Sequence, residues 1–437
     1  MSNNFHSVID NNRQSEGPSV ASEIVSDDVP CFKKWEDMDL RKGLLQGIYN
    51  YGFETPTFVQ QKAIMQCIKG KDVVFQAESG TGKTGAYAIA TLQLVDPSIK
   101  ACQAIILATT RELAQQICKV ITSLSQFEKI ECCDFIGGRS IDEDIEKIQN
   151  LKTQNLGIQV AVGTPGRLFE LIKSNRYTMR SFMRRREDEK PILNTNYVRL
   201  LVIDEADEML LTNFDVTVKE IFGVLDENIQ VVMSSATMPS EMYDIANKIV
   251  RPSHECYIKK RAEELTLAGI RQCYVEVEDE EDKVSVFEDL YDTLSLGQCI
   301  IFVNKKAKVT YLANRLREDE FTVSEIHSDQ CQNDRNKILE DFKSGKSRVL
   351  ISTDVLSRGI DVQQVKFVIN YDLPFIKENY IHRIGRVGRF GRTGVSINFV
   401  TKFCLRDKDC MAKIERCYAT NIEKLTESVL AEILNTK

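Results

Sequence analysis

The sequence predicts an α/β protein of two tandem domains, each a parallel sheet with helices on both faces. Three observations carry this. Short apolar runs alternate with helical patterns from about Phe32 to Val250, and after a charged break the alternation resumes. The runs are continuously apolar, which suits strands covered on both faces. At 437 residues the chain is long enough for two or three domains that each bury a core.

The elements follow in order. Residues 1–31 are polar, have no periodicity and read as a disordered tail. In the first domain, 32–250, the strand candidates are Asp72–Phe75, Gln103–Leu107, Ile158–Val162, Arg199–Ile203 and Gln230–Met233. Arg251-Pro-Ser ends the pattern, and 251–264 reads as a charged linker through Lys259-Lys-Arg-Ala-Glu-Glu264. The second domain, 265–437, offers Gln272–Val277, Gln298–Val303, Phe321–Ile326, Arg348–Ile351, Lys366–Ile369 and Val395–Val400. Helical patterns over Arg406–Tyr418 and Thr426–Leu434 close the chain.

Composition narrows the class. A hydrophobic content of 43% beside 28% charged residues is that of a soluble globular protein. No apolar run nears the roughly 18 residues that cross a bilayer, and the polar N-terminus lacks a signal-peptide core. The 13 cysteines include no C-x-x-C, and with four histidines ungrouped with Cys a zinc site is not expected. Reduced thiols in cytosol or nucleus fit this usage. A net charge of −7 argues against coating nucleic acid through bulk charge, though a local groove of Arg and backbone N–H groups stays open.

Two motifs carry chemistry. Phe75-Gln-Ala-Glu-Ser-Gly-Thr-Gly-Lys-Thr84 opens a phosphate-binding loop. Ser79, Gly80, Thr81 and Gly82 supply converging N–H groups, Lys83 a charge for the β/γ-phosphates, and Thr84 a hydroxyl for Mg²⁺. Ala77 stands where the general pattern has its first Gly, and an ordinary helix-entry turn is the plainer reading of the loop alone. Asp204-Glu-Ala-Asp207 follows the apolar run Leu200–Ile203, so its carboxylates belong at a strand's C-terminal end, where open α/β sheets bind ligands. One carboxylate for a metal and a neighbour for a water make a nucleotide hydrolase.

Only the first domain has such a loop. The second carries Tyr380-Ile-His-Arg-Ile-Gly-Arg-Val-Gly-Arg-Phe-Gly-Arg392, with Arg383, Arg386, Arg389 and Arg392 at three-residue spacing. Arginines so placed can reach a γ-phosphate from the neighbouring domain. The plainer alternative is a solvated basic helix face, against which the glycines count.

In this order and at these spacings the motifs resemble the DEAD-box RNA helicases, and within them the translation initiation factor 4A branch. The matches are Gly52-Phe53 with Pro56 and Gln60, Ala77–Thr84, Thr110-Arg-Glu-Leu-Ala114, Gly137-Gly138, Thr164-Pro-Gly-Arg167, Asp204–Asp207, Ser235-Ala-Thr237, Ile301-Phe-Val303, Gln332-x-x-Arg335, Ser352-Thr-Asp354 with Arg358-Gly-Ile-Asp361, and His382–Arg389. The resemblance runs from about Trp35 onward and implies two RecA-like domains that hydrolyse ATP with Mg²⁺ and unwind RNA. It implies Gln60 at the adenine edge, Phe53 against the base, and Lys83 and Thr84 on phosphates and metal. Asp204 becomes the metal residue, Glu205 the general base, Asp361 a ribose contact, and Arg386 and Arg389 the fingers. Ser235 and Thr237 would couple the nucleotide site to RNA, which Arg111, Gly138, Thr164, Arg167, Arg335 and Thr353 would line. Such contacts go mainly to phosphate and sugar, so RNA binding should be sequence-tolerant, with 2′-hydroxyls favouring RNA over DNA.

Plainer readings stand beside several of these. Arg111 and Glu112 can pair on a helix start, Thr164-Pro-Gly-Arg167 can be a cap with Pro in the first turn, and His382 can be a packed polar residue. The chain departs from the family at Trp35, Glu78, Thr109 (for Pro), Ser328, Ser357 and Val387, none of which removes a catalytic group. An insertion over 174–190 places Arg176, Arg180 and Arg184–Arg186 before Glu187, Asp188 and Glu189; it either extends the RNA path, binds an acidic partner or is a solvated loop. The resemblance further implies a monomeric enzyme working in larger complexes, a HEAT-repeat scaffold of the initiation factor 4G type as partner, and a cytoplasmic location with the nucleus as a second. Its rivals are an ATP-locked RNA clamp of the exon-junction type and a P-loop enzyme acting on a small molecule.

Overall fold

The computed structural model describes residues 31–77, 80–173, 191–211, 215–251, 254–258, 269–294, 296–356, 365–387, 394–418 and 420–435. A 3₁₀ turn, Trp35–Met38, is followed by α1 (Lys42–Asn50), α2 (Phe58–Ile68), β1 (Asp72–Gln76), α3 (Lys83–Leu94) and β2 (Ala104–Leu107). Next come α4 (Arg111–Leu124), β3 (Cys132–Phe135), α5 (Ile141–Thr153), β4 (Val160–Gly163), α6 (Pro165–Lys173) and β5 (Leu200–Asp204). Then α7 (Ala206–Leu211), α8 (Asp215–Phe222), β6 (Gln230–Ser235), α9 (Ser240–Ile249) and β7 (Glu255–Ile258) complete a seven-stranded sheet ordered β3-β4-β2-β5-β6-β1-β7.

The second series is β8 (Ile270–Val277), α10 (Asp282–Thr293), β9 (Cys299–Phe302), α11 (Lys306–Glu318), β10 (Val323–Ile326), α12 (Gln332–Lys343) and β11 (Val349–Ser352). It continues through β12 (Phe367–Asn370), α13 (Lys377–Ile384), β13 (Gly394–Thr401), α14 (Leu405–Tyr418), β14 (Glu423–Lys424) and α15 (Glu427–Asn435). Its sheet is ordered β10-β11-β9-β12-β13-β8-β14. Counted from its own first strand, the second sheet repeats the order of the first, and in both all pairings are parallel.

Apolar strands explain the two-faced cores. Val73 and Phe75 of β1 and Ile106 of β2 pack under α1–α4, while Val74, Ile105 and Leu107 face the opposite layer with Leu168, Leu171 and Met242. Period-two alternation thus feeds both faces with hydrocarbon. Local signals set the helix starts. Thr110 accepts from Leu113 N at 3.2 Å and caps α4, whose Leu113, Ile117, Val120, Ile121 and Leu124 form a buried stripe. Thr57 and Gln60 make a reciprocal capping box on α2.

Three strands were not foreseen. β3, β7 and β14 lie at sheet edges and carry Asp134, Glu255 and Glu423-Lys424, so they lack the continuous apolar run of a central strand. β7 falls within 251–264, the stretch read as linker, and extends the first sheet to Ile258. The arginine-rich insertion at 174–190 lies outside the described residues.

Candidate functional site

β2, β5, β6 and β1 are consecutive neighbours, so their C-terminal ends bring four segments to one sheet edge: Thr109–Arg111, Asp204–Asp207, Ser235–Thr237 and Ala77–Thr84. Gly80 and Gly82 take φ of 81° and 97°, the left-handed region that glycine enters without steric cost. Gly82 is constrained twice over, since a Cβ there would sit 2.7 Å from Gln60 Nε2 and 2.9 Å from Thr57 Oγ1. Lys83 opens α3 and donates from Nζ to Ala77 O at 2.6 Å, closing the loop on itself. Desolvation lowers the Lys83 pKa, against the opposing pull of Asp204, Glu205 and Asp207. A cleft of about 260 Å³ beside the loop is lined by Thr57, Gln76, Ala77 and Thr81. Ser79 and Glu78 lie outside the described residues.

Gln60 is buried against the same loop. Its Oε1 accepts from Thr57 N at 2.8 Å and its Nε2 donates to Gly82 O at 3.2 Å, so this amide ties the α2 cap to the phosphate loop. Phe53 comes within 3.0 Å of a Cβ built at Gly85 and stacks on Trp35, with ring centroids 6.4 Å apart. Trp35 donates from Nε1 to Phe53 O at 3.0 Å and is fully buried, so the indole keeps a packing role.

The acidic turn is strained and heavily braced. Glu205 holds φ at 50°, a conformation that costs a non-glycine residue of order 1–3 kcal/mol and clusters at functional sites. Asp204 accepts from Tyr87 Oη at 2.8 Å, from Glu205 N at 3.0 Å and from Ser234 Oγ. Thr109 Oγ1 donates to Glu205 Oε2 at 2.9 Å. Thr237 Oγ1 donates to Asp207, and Thr237 N donates to Ser235 Oγ at 3.3 Å. Thr84 and Asp204 offer hard oxygen donors near Tyr87, whose hydroxyl donates to Asp204. That donor set fits Mg²⁺, which takes one or two protein oxygens and completes its shell with phosphate and water.

The second domain meets this edge. His382 Nε2 lies 3.2 Å from Asp207 Oδ2, both buried, so His382 joins the domains through the acidic turn. Arg386 is buried, donates to His382 O at 3.2 Å, and its charge acts on Lys83. Arg383 behaves differently from Arg386. It is fully buried in its own domain, donating to Asp354 Oδ1 at 2.5 Å, Asp372 O at 2.7 Å and Asn304 Oδ1 at 2.8 Å, with its guanidinium 5.3 Å from the Phe302 centroid. It is a structural arginine and not a finger. Arg389 and Asp361 lie outside the described residues.

Of the expected RNA residues, Arg111, Gly138, Thr164, Arg167 and Arg335 gather beside the cleft between domains. Gly138, at φ 85°, lies so close to Arg111 that a Cβ would fall 2.2 Å from its Nη1. Thr164 accepts from Gly137 N at 3.4 Å and precedes α6, where Pro165 takes the first helical position. Arg335 pairs with Glu112 across the domains at 3.0 Å, and Gln332 donates to the same Glu112 oxygen at 3.0 Å. So Glu112 pairs across the cleft and not with Arg111. Burial and the like charges of Arg335 and Arg167 lower the Arg111 pKa, the signature of cations held close together. Arg167 is turned inward, bonded to Asp144 and donating to Arg139 O at 2.6 Å, so its guanidinium buttresses the Gly138 loop. Thr353 is half-buried after β11, its carbonyl accepting from Ser352 Oγ at 2.9 Å.

Tyr87, Ser234 and Thr109 were not foreseen as part of the acidic site. Tyr87 was legible, since it lies one turn after Lys83 on α3. Ser234 and Thr109 needed the registers of β6 and β2 against β5.

Comparison with known proteins agrees with this geometry. Residues 57–245 match the DEAD/DEAH box helicase model and residues 282–391 the helicase conserved C-terminal domain. The ATP-dependent RNA helicase eIF4A of Chaetomium globosum is 48% identical over 395 residues, 90% of this chain and 93% of its own; that of Neurospora crassa is equally similar over the same shares. Among solved structures, Saccharomyces cerevisiae Dbp5 bound to RNA and ADP BeF3 covers 92% of this chain and 100% of its own, at a TM-score of 0.80 and 30% identity. Mss116p bound to ssRNA and AMP-PNP reaches 0.76 at 25% identity over 92% of this chain and 81% of its own. With one nucleotide loop, a matching domain on either side of the cleft and near-half identity along nine-tenths of its length, the chain belongs to the DEAD/DEAH box helicases.

Proposed function

We propose that this chain is an RNA-stimulated ATPase that binds and locally unwinds RNA in translation initiation. The observation that carries the reading is a single site built from two sheets: the loop and acidic turn of the first receive Arg386 and His382 from the second. The names of its relatives, ATP-dependent RNA helicase eIF4A, support the translation role over a stalled RNA clamp. The domain limits 32–250 and 265–437 are our reading, with the first sheet continuing to Ile258.

In this reading the phosphates displace the contact between Lys83 and Ala77 O, and Lys83 turns to the β/γ-phosphates. Phe53 and Gln60 serve the base and Asp361 the ribose. Bound Mg²⁺, held by Thr84 and through water by Asp204, would neutralise phosphate charge. Glu205 takes a proton from water as the new P–O bond forms; the bond to the γ-phosphorus breaks and ADP leaves with the electron pair. Arg386 and Arg389 stabilise the charge on the transferring group. Because these come from the second domain, hydrolysis waits on closure, and closure also brings Arg335 to Arg111. RNA phosphates entering among Arg111, Arg335, Gly138, Thr164 and Thr353 would relieve the repulsion between the arginines. Ser235 and Thr237 link that closure to Asp207. Among the described residues no helix is long and apolar enough to cross a membrane, and we assign the chain to the cytoplasm, acting as a monomer on a HEAT-repeat scaffold.

Steady-state ATPase measured with and without RNA tests this. Wild-type turnover should rise with RNA of any sequence. Glu205→Gln should keep ATP and RNA binding and lose turnover by about 10²–10⁴-fold. A rate indifferent to RNA would sink the helicase reading, and near-normal turnover of Glu205→Gln would remove Glu205 from the base role.

A further inference from the structure

Thr109 occupies a position where the family usually has proline, which has no side-chain donor. β2 and β5 pair in parallel with Leu107 opposite Ile203. Carried past the strand ends, that register sets Ala108 beside Asp204 and Thr109 beside Glu205. Thr109 Oγ1 lies 2.9 Å from Glu205 Oε2, and both residues are buried. A carboxylate only accepts, so the hydroxyl is the donor. The backbone of Glu205 is held at φ 50°, which fixes its Cα–Cβ direction but not its χ angles. The Thr109 hydroxyl holds one of its oxygens and so helps set those angles.

The following residues extend the connection. Thr110 caps α4, Arg111 packs on Gly138, and Glu112 takes Arg335 and Gln332 from the second domain. Thr109 therefore lies between the carboxylate and the helix start that receives the second domain.

We propose that Thr109 is a positioning residue for hydrolysis: its hydroxyl sets the direction in which Glu205 meets the attacking water, and does so in step with α4. The proposal rests on the reading of Glu205 as general base. Its contribution adds to a site that, by the family pattern, works without a hydroxyl here, so the effect is moderate.

The test is the steady-state kinetics of the full chain with RNA in excess. Thr109→Val keeps the shape and removes the donor. It should lower RNA-stimulated kcat by about 10-fold, the scale of one hydrogen bond to a charged group, with KM for ATP within about twofold of wild type. Thr109→Ser, which keeps the hydroxyl and loses the methyl, should recover most of the rate. In the Glu205→Gln background Thr109→Val should cost nothing more. An unchanged kcat in Thr109→Val overturns the proposal. So does a serine variant as slow as the valine one, which would mark a packing role, or a further loss on top of Glu205→Gln. Should Glu205→Gln itself turn over normally, the base assignment falls and the proposal with it, whatever Thr109→Val does.

Discussion

At the residue scale, burial separates side chains that spacing makes look equivalent. Arg383 and Arg386 are three positions apart in one arginine-glycine segment, and nothing in that pattern ranks them. The structure commits Arg383 to Asp354, Asp372, Asn304 and the Phe302 ring, and leaves Arg386 bonded to His382 O, near enough to Lys83 for its charge to act there. Arg383→Ala should therefore lower stability by about 3 kcal/mol, since it strips a buried network of its cation. Arg386→Ala should leave the denaturant midpoint nearly in place and lower RNA-stimulated kcat by about 10³-fold. Equal stability losses in the two variants would contradict this division. The acidic turn was readable because its residues are contiguous. Ser234 and Thr109 were not, because they reach it through strand register, which a single sequence leaves open.

At the element scale, central strands were legible and edges were not. β1, β2, β4, β5 and β6 bury every residue and so read as apolar runs. β7 hides in a polar stretch, yet it helps hold the end of the first sheet. Just before it, Arg251 binds the fully buried Asp72 through its guanidinium at 2.7 Å and its backbone N–H at 2.6 Å, and Val231 N adds a third donor at 3.0 Å. The ion pair thus fastens the segment entering β7 to the start of β1. Arg251→Ala leaves a buried carboxylate with backbone donors alone, and should cost about 3 kcal/mol in the unfolding transition of this sheet. Asp72→Asn keeps a polar group without a stranded charge and should cost less. A reversed order, with Asp72→Asn the worse, would show that the carboxylate matters for its backbone bonds and not for Arg251.

At the scale of the whole molecule, the two sheets share one topology but divide the chemistry. The first holds the nucleotide loop, and in our proposal the second supplies groups that act only when it is docked. Among the described residues, Glu112 with Arg335 and Gln332, and Asp207 with His382, make buried contacts between the domains. The first of these lies beside the residues we assign to RNA and the second beside those we assign to ATP, so in our proposal docking is sensed at both. A double-mutant cycle on Glu112→Gln and Arg335→Ala should give a coupling of about 0.5–3 kcal/mol in RNA-stimulated kcat/KM. Additive effects would mean the pair contributes nothing to the active arrangement. The sequence offers each partner within a motif, with an Arg111–Glu112 pair as the plainer local alternative, but contacts between domains leave no trace in local spacing.

The single tryptophan of this chain gives the molecule an optical property. Trp35 is sealed from water and stacked on Phe53, which in turn packs against Gly85 at the start of α3. Excited where tyrosine does not absorb, the protein should emit as one shielded indole, blue-shifted from tryptophan in water. Any nucleotide that moves the Phe53 ring will change that emission, so binding can be followed by intrinsic fluorescence without a label. Phe53→Ala should silence the response while nucleotide still binds. The same light would miss events in the second sheet, where no indole stands.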